Sequence, residues 1–172
     1  KNLGDDFEDV TRAAGITIPS SALTAWGTGI FDFDNDGYKD LFASCAAILD
    51  NSMVIQRRPF HLPHALFRNN GNFTFTNVAP QAGPSFTLPT AHRGAAFGDF
   101  NNDGSMDVVV VVLNGRTELF LNKSANDHHW LWINLVGTKS NRDGLGTRIK
   151  ITTTKGVQFN HATTAVGYNS AS

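Results

Sequence analysis

Apolar and polar residues along this chain fall into short blocks separated by turn residues, a pattern that predicts strands. Asp107-Val108-Val109-Val110-Val111-Val112-Leu113 is a β-branched run, Ile30-Phe31 is a shorter apolar segment, and Leu41 to Leu49 is a third. Ala65 to Arg68 and Phe73 to Asn77 read as two strands joined into a hairpin by Asn70-Gly71. Further along, a strand around His129-Trp130-Leu131 is followed by a glycine-containing turn. Thr147 to Thr153 and Val157 to Ala165 then pair around a Lys155-Gly156 turn. Ile16 to Ala25 and Pro84 to His92 carry Pro with Ser or Thr and read as loop-like linkers. No stretch shows a convincing helical stripe, so the expected class is all-β.

Between two of these strands lies Asp32-Phe33-Asp34-Asn35-Asp36-Gly37-Tyr38-Lys39-Asp40-Leu41, with acids at positions 1, 3, 5 and 9. The pattern returns as Asp99-Phe100-Asn101-Asn102-Asp103-Gly104-Ser105-Met106-Asp107-Val108, displaced by 67 residues. Carboxylates this close repel one another unless a cation joins them. Calcium takes six to eight oxygens at about 2.3–2.6 Å, and this spacing wraps a short backbone around one ion. The expected ligands are Asp32, Asp34, Asp36, Asp40 and the Tyr38 carbonyl in the first loop. In the second they are Asp99, Asn101, Asp103, Asp107 and the Ser105 carbonyl. Gly37 and Gly104 occupy position 6, where the chain must turn sharply. The competing reading is a solvated acidic turn, common for isolated Asp-Gly pairs; two full-length copies weigh against it. An EF-hand is disfavoured, because position 12 is Ala43 in one loop and Val110 in the other instead of a bidentate Glu, and strands flank both loops. Each site is therefore a strand-loop-strand calcium site, two in all.

The repeat extends beyond the loops. Phe7 to Gly15 resembles Phe75 to Gly83, Gly27 and Gly94 mark the starts of the strands entering the loops, and Leu66-Phe67-Arg68-Asn69 matches Leu119-Phe120-Leu121-Asn122. The first repeat carries a 14-residue insertion within Asp50 to His64. Its Arg57 to His61 stretch, combining Arg and Phe, is the expected recognition surface, against the alternative of a loop folded over the blade face. Two repeats occupy residues 1–122, about 7–74 and 75–122, and residues 123–172 form a separate segment. Units of this kind cover one another's faces, as propeller blades do.

Composition adjusts this picture little. The chain has 172 residues, 41% of them hydrophobic, enough for a sizeable core. Its formal net charge is −1, so no field favours nucleic acid or an anionic membrane. Seven of the 15 acids lie in the two loops, and two calcium ions would move the formal charge to +3. The lone Cys45 forms no internal disulfide and reads as a small buried hydrophobe. No run approaches the roughly 18 apolar residues of a membrane span. No signal peptide precedes Lys1, as expected of a secreted chain that has lost its signal or of an excised fragment.

The two loops, with the Arg93-Gly94-Ala95-Ala96-Phe97-Gly98-Asp99 lead-in, resemble the FG-GAP/VCBS repeats of integrin-type propellers over about residues 7–122. The remainder resembles part of an ASPIC/UnbV module, through His129-Trp130-Leu131 and Leu135-Val136-Gly137-Thr138-Lys139-Ser140-Asn141-Arg142-Asp143-Gly144-Leu145-Gly146-Thr147-Arg148. These resemblances imply two blade-like repeats followed by a partial β-sandwich-like segment, in a secreted or cell-surface protein.

Other chemistry is weakly signalled. His61-Leu62-Pro63-His64 and His128-His129 lack a zinc-type spacing and no Cys or Glu accompanies them, so they read as surface or packed histidines. No nucleophile elbow or phosphate-binding loop appears, Asp143 sits in a turn sequence, and no enzyme is expected. Asn72-Phe73-Thr74 and Asn122-Lys123-Ser124 are glycosylation sequons, no more than chance supplies. The expected role is structural, adhesive or protein-binding. The alternative is a non-catalytic scaffold or carbohydrate-binding fragment of a larger secreted protein, and a calcium sensor is disfavoured. Two blades cannot close a propeller, so strand edges are expected to meet either further chain or other copies of this one.

Overall fold

The computed structural model describes residues 1–124, 128–154, 156–168 and 170. Its sheets are antiparallel throughout, as the all-β reading expects. β1 (Ala25–Phe31), β2 (Asp40–Cys45), β3 (Ala65–Asn69) and β4 (Phe75–Asn77) form a four-stranded meander. β5 (His92–Gly98), β6 (Asp107–Val112) and β7 (Glu118–Phe120) form a second, three-stranded one. β8 (Arg148–Thr153) and β9 (Gly156–His161) make a separate hairpin. In each meander an acidic loop joins the first strand to the second, with Phe31 paired to Asp40 and Gly98 to Asp107. The sequence repeat is thus a structural repeat of strand, loop and strand.

Side-chain alternation sets the packing. On β2, Asp40, Phe42 and Ser44 are buried on one face, while Leu41, Ala43 and Cys45 point to the other. Phe42 meets the second sheet in a core with Phe97, Phe86, Ala95, Val108 and Val110. Behind it, Cys45, Leu62, Ala65 and Phe67 pack against Ile16, Leu23 and Phe75. Cys45 is fully enclosed, and burial pushes its thiol up to about 12, so it behaves as the inert hydrophobe expected. The outer face of the second sheet differs, since Val111, Leu113, Leu119 and Leu121 are exposed.

Gly27 and Gly94 lie inside β1 and β5, not at their starts. The pairing slips at both points, between Ala25 and Thr28 and between His92 and Ala95, which is where a bulge favours glycine. Gly27 has a second constraint, because a β-carbon there would stand 2.5 Å from the Ala95 backbone nitrogen. The sheets meet backbone to backbone at this point. Buried Ser44 bridges them, its hydroxyl accepting the Gly27 N–H at 2.9 Å and facing the Gly27 and Arg93 carbonyls.

Several local expectations change. The β3–β4 connection runs from Asn70 to Thr74 instead of turning tightly at Asn70-Gly71. Thr74 donates its N–H and hydroxyl to Asn72 Oδ1, at 3.1 and 2.6 Å, and this side-chain turn holds the longer loop. No strand forms at His129-Trp130-Leu131: its backbone finds no partner edge among the described residues, and Trp130, Leu131 and Trp132 stay exposed. β9 ends at His161, short of Ala165, and Lys155 of the expected turn lies outside the described residues.

Short helices occupy the first linker, α1 (Thr17–Ser20), and the insertion, α2 (Ser52–Gln56). The insertion is pinned at both ends. Ala47 N–H donates to the Phe60 carbonyl at 2.9 Å, and Leu62 and Thr90 exchange backbone hydrogen bonds at 3.2 and 3.3 Å. Between these anchors Met53, Val54 and Ile55 are exposed. Changing all three to Ser should therefore cost less than about 1.5 kcal/mol, as surface positions do. Urea unfolding reads this directly, and a loss above about 3 kcal/mol would mean that the helix is covered in solution.

Candidate metal centre

Each acidic loop is shaped by its own carboxylates. In the first, Asp32 accepts the backbone N–H groups of Asp36 (3.0 Å) and Gly37 (2.8 Å), and Asp36 accepts that of Tyr38 (2.8 Å). Asp40 accepts from Phe33 (2.9 Å) and Asn69 (2.7 Å), tying the loop to the end of β3. In the second, Asp99 accepts from Asp103 (3.0 Å) and Gly104 (2.8 Å), and Asp103 accepts from Ser105 (2.8 Å). Asp107 accepts from Phe100 (2.9 Å) and Asn122 (2.8 Å). The correspondence holds bond for bond. Gly37 and Gly104 take φ of +97° and +83°, the left-handed geometry that position 6 requires.

The loops are not equal in charge. Asp32, Asp34 and Asp40 bring carboxylate oxygens within 4.8 Å of one another, with Asp40 buried at the base. Asp36 stands outside that group. Burial pushes the Asp40 carboxyl up to about 6, against the opposing N–H groups of Asn69 and Phe33, and Asp34 and Asp36 push it further in the same direction. Burial also raises Asp32, with its acidic neighbours adding to the effect. Neither Asp32 nor Asp40 has an ion-pair partner among the described residues. A hard dication held by oxygens is the chemistry that relieves this charge. In the second loop Asn101 replaces a carboxylate and donates its amide to Asp103 at 2.8 Å. Asp103 is held below the usual carboxylate range by the Ser105 N–H and then by Asn101. Its three carboxylates do not converge as closely among the described residues.

The two loops sit against each other. Asn35 donates its amide to the Gly104 carbonyl at 3.2 Å, and Asn122 donates to the Phe33 carbonyl at 2.7 Å. Trp130 lies over the second loop so closely that a β-carbon on Gly104 would meet its Nε1 at 2.1 Å. The sequence places Trp130 in an expected strand and in the stretch that resembles an ASPIC/UnbV module but gives no sign of its contact with Gly104, which depends on how the chain returns. Position 12 falls within β2 as Ala43 and within β6 as Val110, so the EF-hand glutamate has no counterpart.

Residues 63–110 match the FG-GAP-like repeat family. That segment is similar to an FG-GAP-like repeat. It begins just ahead of β3 and contains the whole second acidic loop. The chain is also similar to cartilage acidic protein 1 of Mus musculus, with 45% identity over 65 residues, and of Homo sapiens, with 42% over 65 residues. The Xenopus tropicalis protein of that name is 39% identical over 64 residues. Each alignment covers 37% of this chain and 10% of the relative, so the chain spans about a tenth of the length of the relatives it matches.

A second convergence lies outside the acidic loops. His64, just before β3, and His92, the first residue of β5, are fully buried and meet Glu118 at the start of β7. The local spacing that placed His61, His64, His128 and His129 among surface or packed histidines holds for each of them singly, since only His64 is buried. It also implied that no Glu accompanies them. The fold overturns that, because Glu118 is remote in sequence and adjacent in space.

Proposed function

We propose that this chain is a calcium-stabilised β-repeat module of a secreted or cell-surface protein, with a structural, adhesive or protein-binding and non-catalytic role. The observation that carries the reading is the convergence of Asp32, Asp34 and buried Asp40 in a loop whose backbone is repeated, bond for bond, 67 residues later. Two calcium ions bind, one per loop, and the first loop binds more tightly because Asp34 supplies the charge that Asn101 lacks. Calorimetry on Asp34→Asn tests this. The tighter of two binding phases should weaken by at least about tenfold, or roughly 1.4 kcal/mol, toward the weaker one. An isotherm identical to that of the unaltered chain would remove Asp34 from the ligand set.

The interaction role is supported by the bare outer face of the second sheet, where Val111, Leu113, Leu119 and Leu121 form an apolar surface beside the edge of β7. Self-association through this region is part of the proposal. Light scattering in calcium should report a defined oligomer, and a soluble monomer across the micromolar range would restrict the role to partners of another kind.

A further inference from the structure

The geometry points to a transition-metal site of the zinc type formed by His64, His92 and Glu118, separate from the acidic loops and joining the two sheets. His64 Nε2 lies 3.2 Å and His92 Nε2 3.3 Å from the same Glu118 oxygen, Oε2. Donor atoms about 2.0–2.2 Å from a tetrahedral zinc stand about 3.3–3.5 Å apart, so each histidine-to-glutamate separation suits a shared ion. All three donor atoms lie within 4.8 Å of one another, and the two imidazole rings, 3.7 Å apart at 33°, would need only to splay to converge on it.

The hydrogen-bond inventory points the same way. His92 Nδ1 lies 2.9 Å from the Cys45 carbonyl, which can only accept, so the ring hydrogen resides on Nδ1. This carbonyl contact is the usual device for turning the other imidazole nitrogen toward a metal. In the neutral ring His92 Nε2 is then a bare lone pair, buried, without a hydrogen-bond partner, and aimed at a carboxylate oxygen that is also an acceptor. Two acceptors facing each other at 3.3 Å repel unless a cation lies between them. His64 resolves its own contact with Glu118 only by placing its hydrogen on Nε2, which leaves its buried Nδ1 without a partner. With a metal in place, both Nε2 atoms become ligands and the His92–Glu118 repulsion is removed, while the His64 hydrogen moves to Nδ1, which stays without a partner among the described residues.

The surroundings suit such an ion. Phe42, Phe86 and Phe120 box the His64 ring at centroid distances of 5.6, 5.0 and 5.2 Å, excluding water on those sides. Glu118 alone is partly open, its side chain 23% exposed, which provides an entry path and room for water as a fourth ligand. Imidazole nitrogens favour zinc and its neighbours over calcium, which binds oxygen. His64 belongs to the first sheet's side of the core, while His92 and Glu118 belong to the second, so the ion would staple the two sheets.

Cobalt(II) is the probe, added to the chain in saturating calcium so that the acidic loops are already filled. The expected result is an intense visible d–d band that saturates at one equivalent, is displaced by zinc, and is accompanied by a higher melting temperature. Glu118→Gln and His92→Gln should each weaken binding at least about tenfold, the loss that even an outer-sphere change produces at such sites. Glu118→Gln keeps the size and backbone of a partly exposed strand residue, and an unchanged melt without cobalt shows that it folds. A weak spectrum like that of aqueous cobalt would overturn the proposal. So would equal binding by both variants, which would assign the metal to exposed histidines such as His61, His129 and His161.

Discussion

Stripping calcium should lower the melting temperature by several degrees or unfold the chain outright. At about 1 mM free calcium, site affinities between roughly 100 and 1 μM correspond to about 1.4–4 kcal/mol per site by mass action. Two such sites account for a large part of the roughly 5–15 kcal/mol that holds a domain together. The first loop should dominate, because burial already holds Asp40 at about 6 and Asp34 and Asp36 oppose its ionisation. Without an ion, the chain must either protonate this carboxyl or leave a charge buried beneath its neighbours. The consequence would spread beyond the loop, since Asp40 holds the Asn69 N–H at the end of β3 and Asn122 reaches across to the Phe33 carbonyl. Thermal melts in excess EGTA, with metal analysis confirming removal, measure the effect. An unchanged melt would mean that the acidic loops are ordinary side-chain turns.

Phe97→Ala should be the most damaging single substitution in the core, at about 3–5 kcal/mol. Phe97 is buried on β5 and stands 4.5 Å from Phe31 and 5.5 Å from Phe42, ring centroid to centroid. It therefore fills the seam between the two sheets. The backbone cannot close over the vacancy, because β1 and β5 already touch at Gly27 and Ala95. For a chain of this size the loss corresponds to a fall of roughly 6–20 °C. Urea unfolding in saturating calcium isolates the packing contribution from metal binding. A loss below about 1 kcal/mol would show that the sheets do not depend on this seam.

The sequence by itself determined whatever was local. The two loops were legible because their acidic spacing, their position-6 glycines and their carboxylate-to-N–H contacts fall almost entirely within nine consecutive residues. The strands were legible where β-branched runs were long, as in Asp107 to Val112. The first repeat's insertion was recognisable from the unequal spacing of Leu66 to Asn69 and Leu119 to Asn122, although its short helix α2 was not, being too brief to carry a stripe. Only the tertiary structure decided the rest. The strand expected at His129 fails because strand formation depends on a neighbouring edge, which no property of the segment itself supplies. The inequality of the two sheet faces, one covered by Ile16 and Leu23 and the other bare at Val111 and Leu119, likewise follows from which segments fold back. The meeting of His64, His92 and Glu118 is the clearest case. These residues are 28 and 26 positions apart and belong to different strands or their flanks. Register, sheet packing and the Cys45 carbonyl place their donor atoms together, and none of those is encoded in the residues adjacent to either histidine.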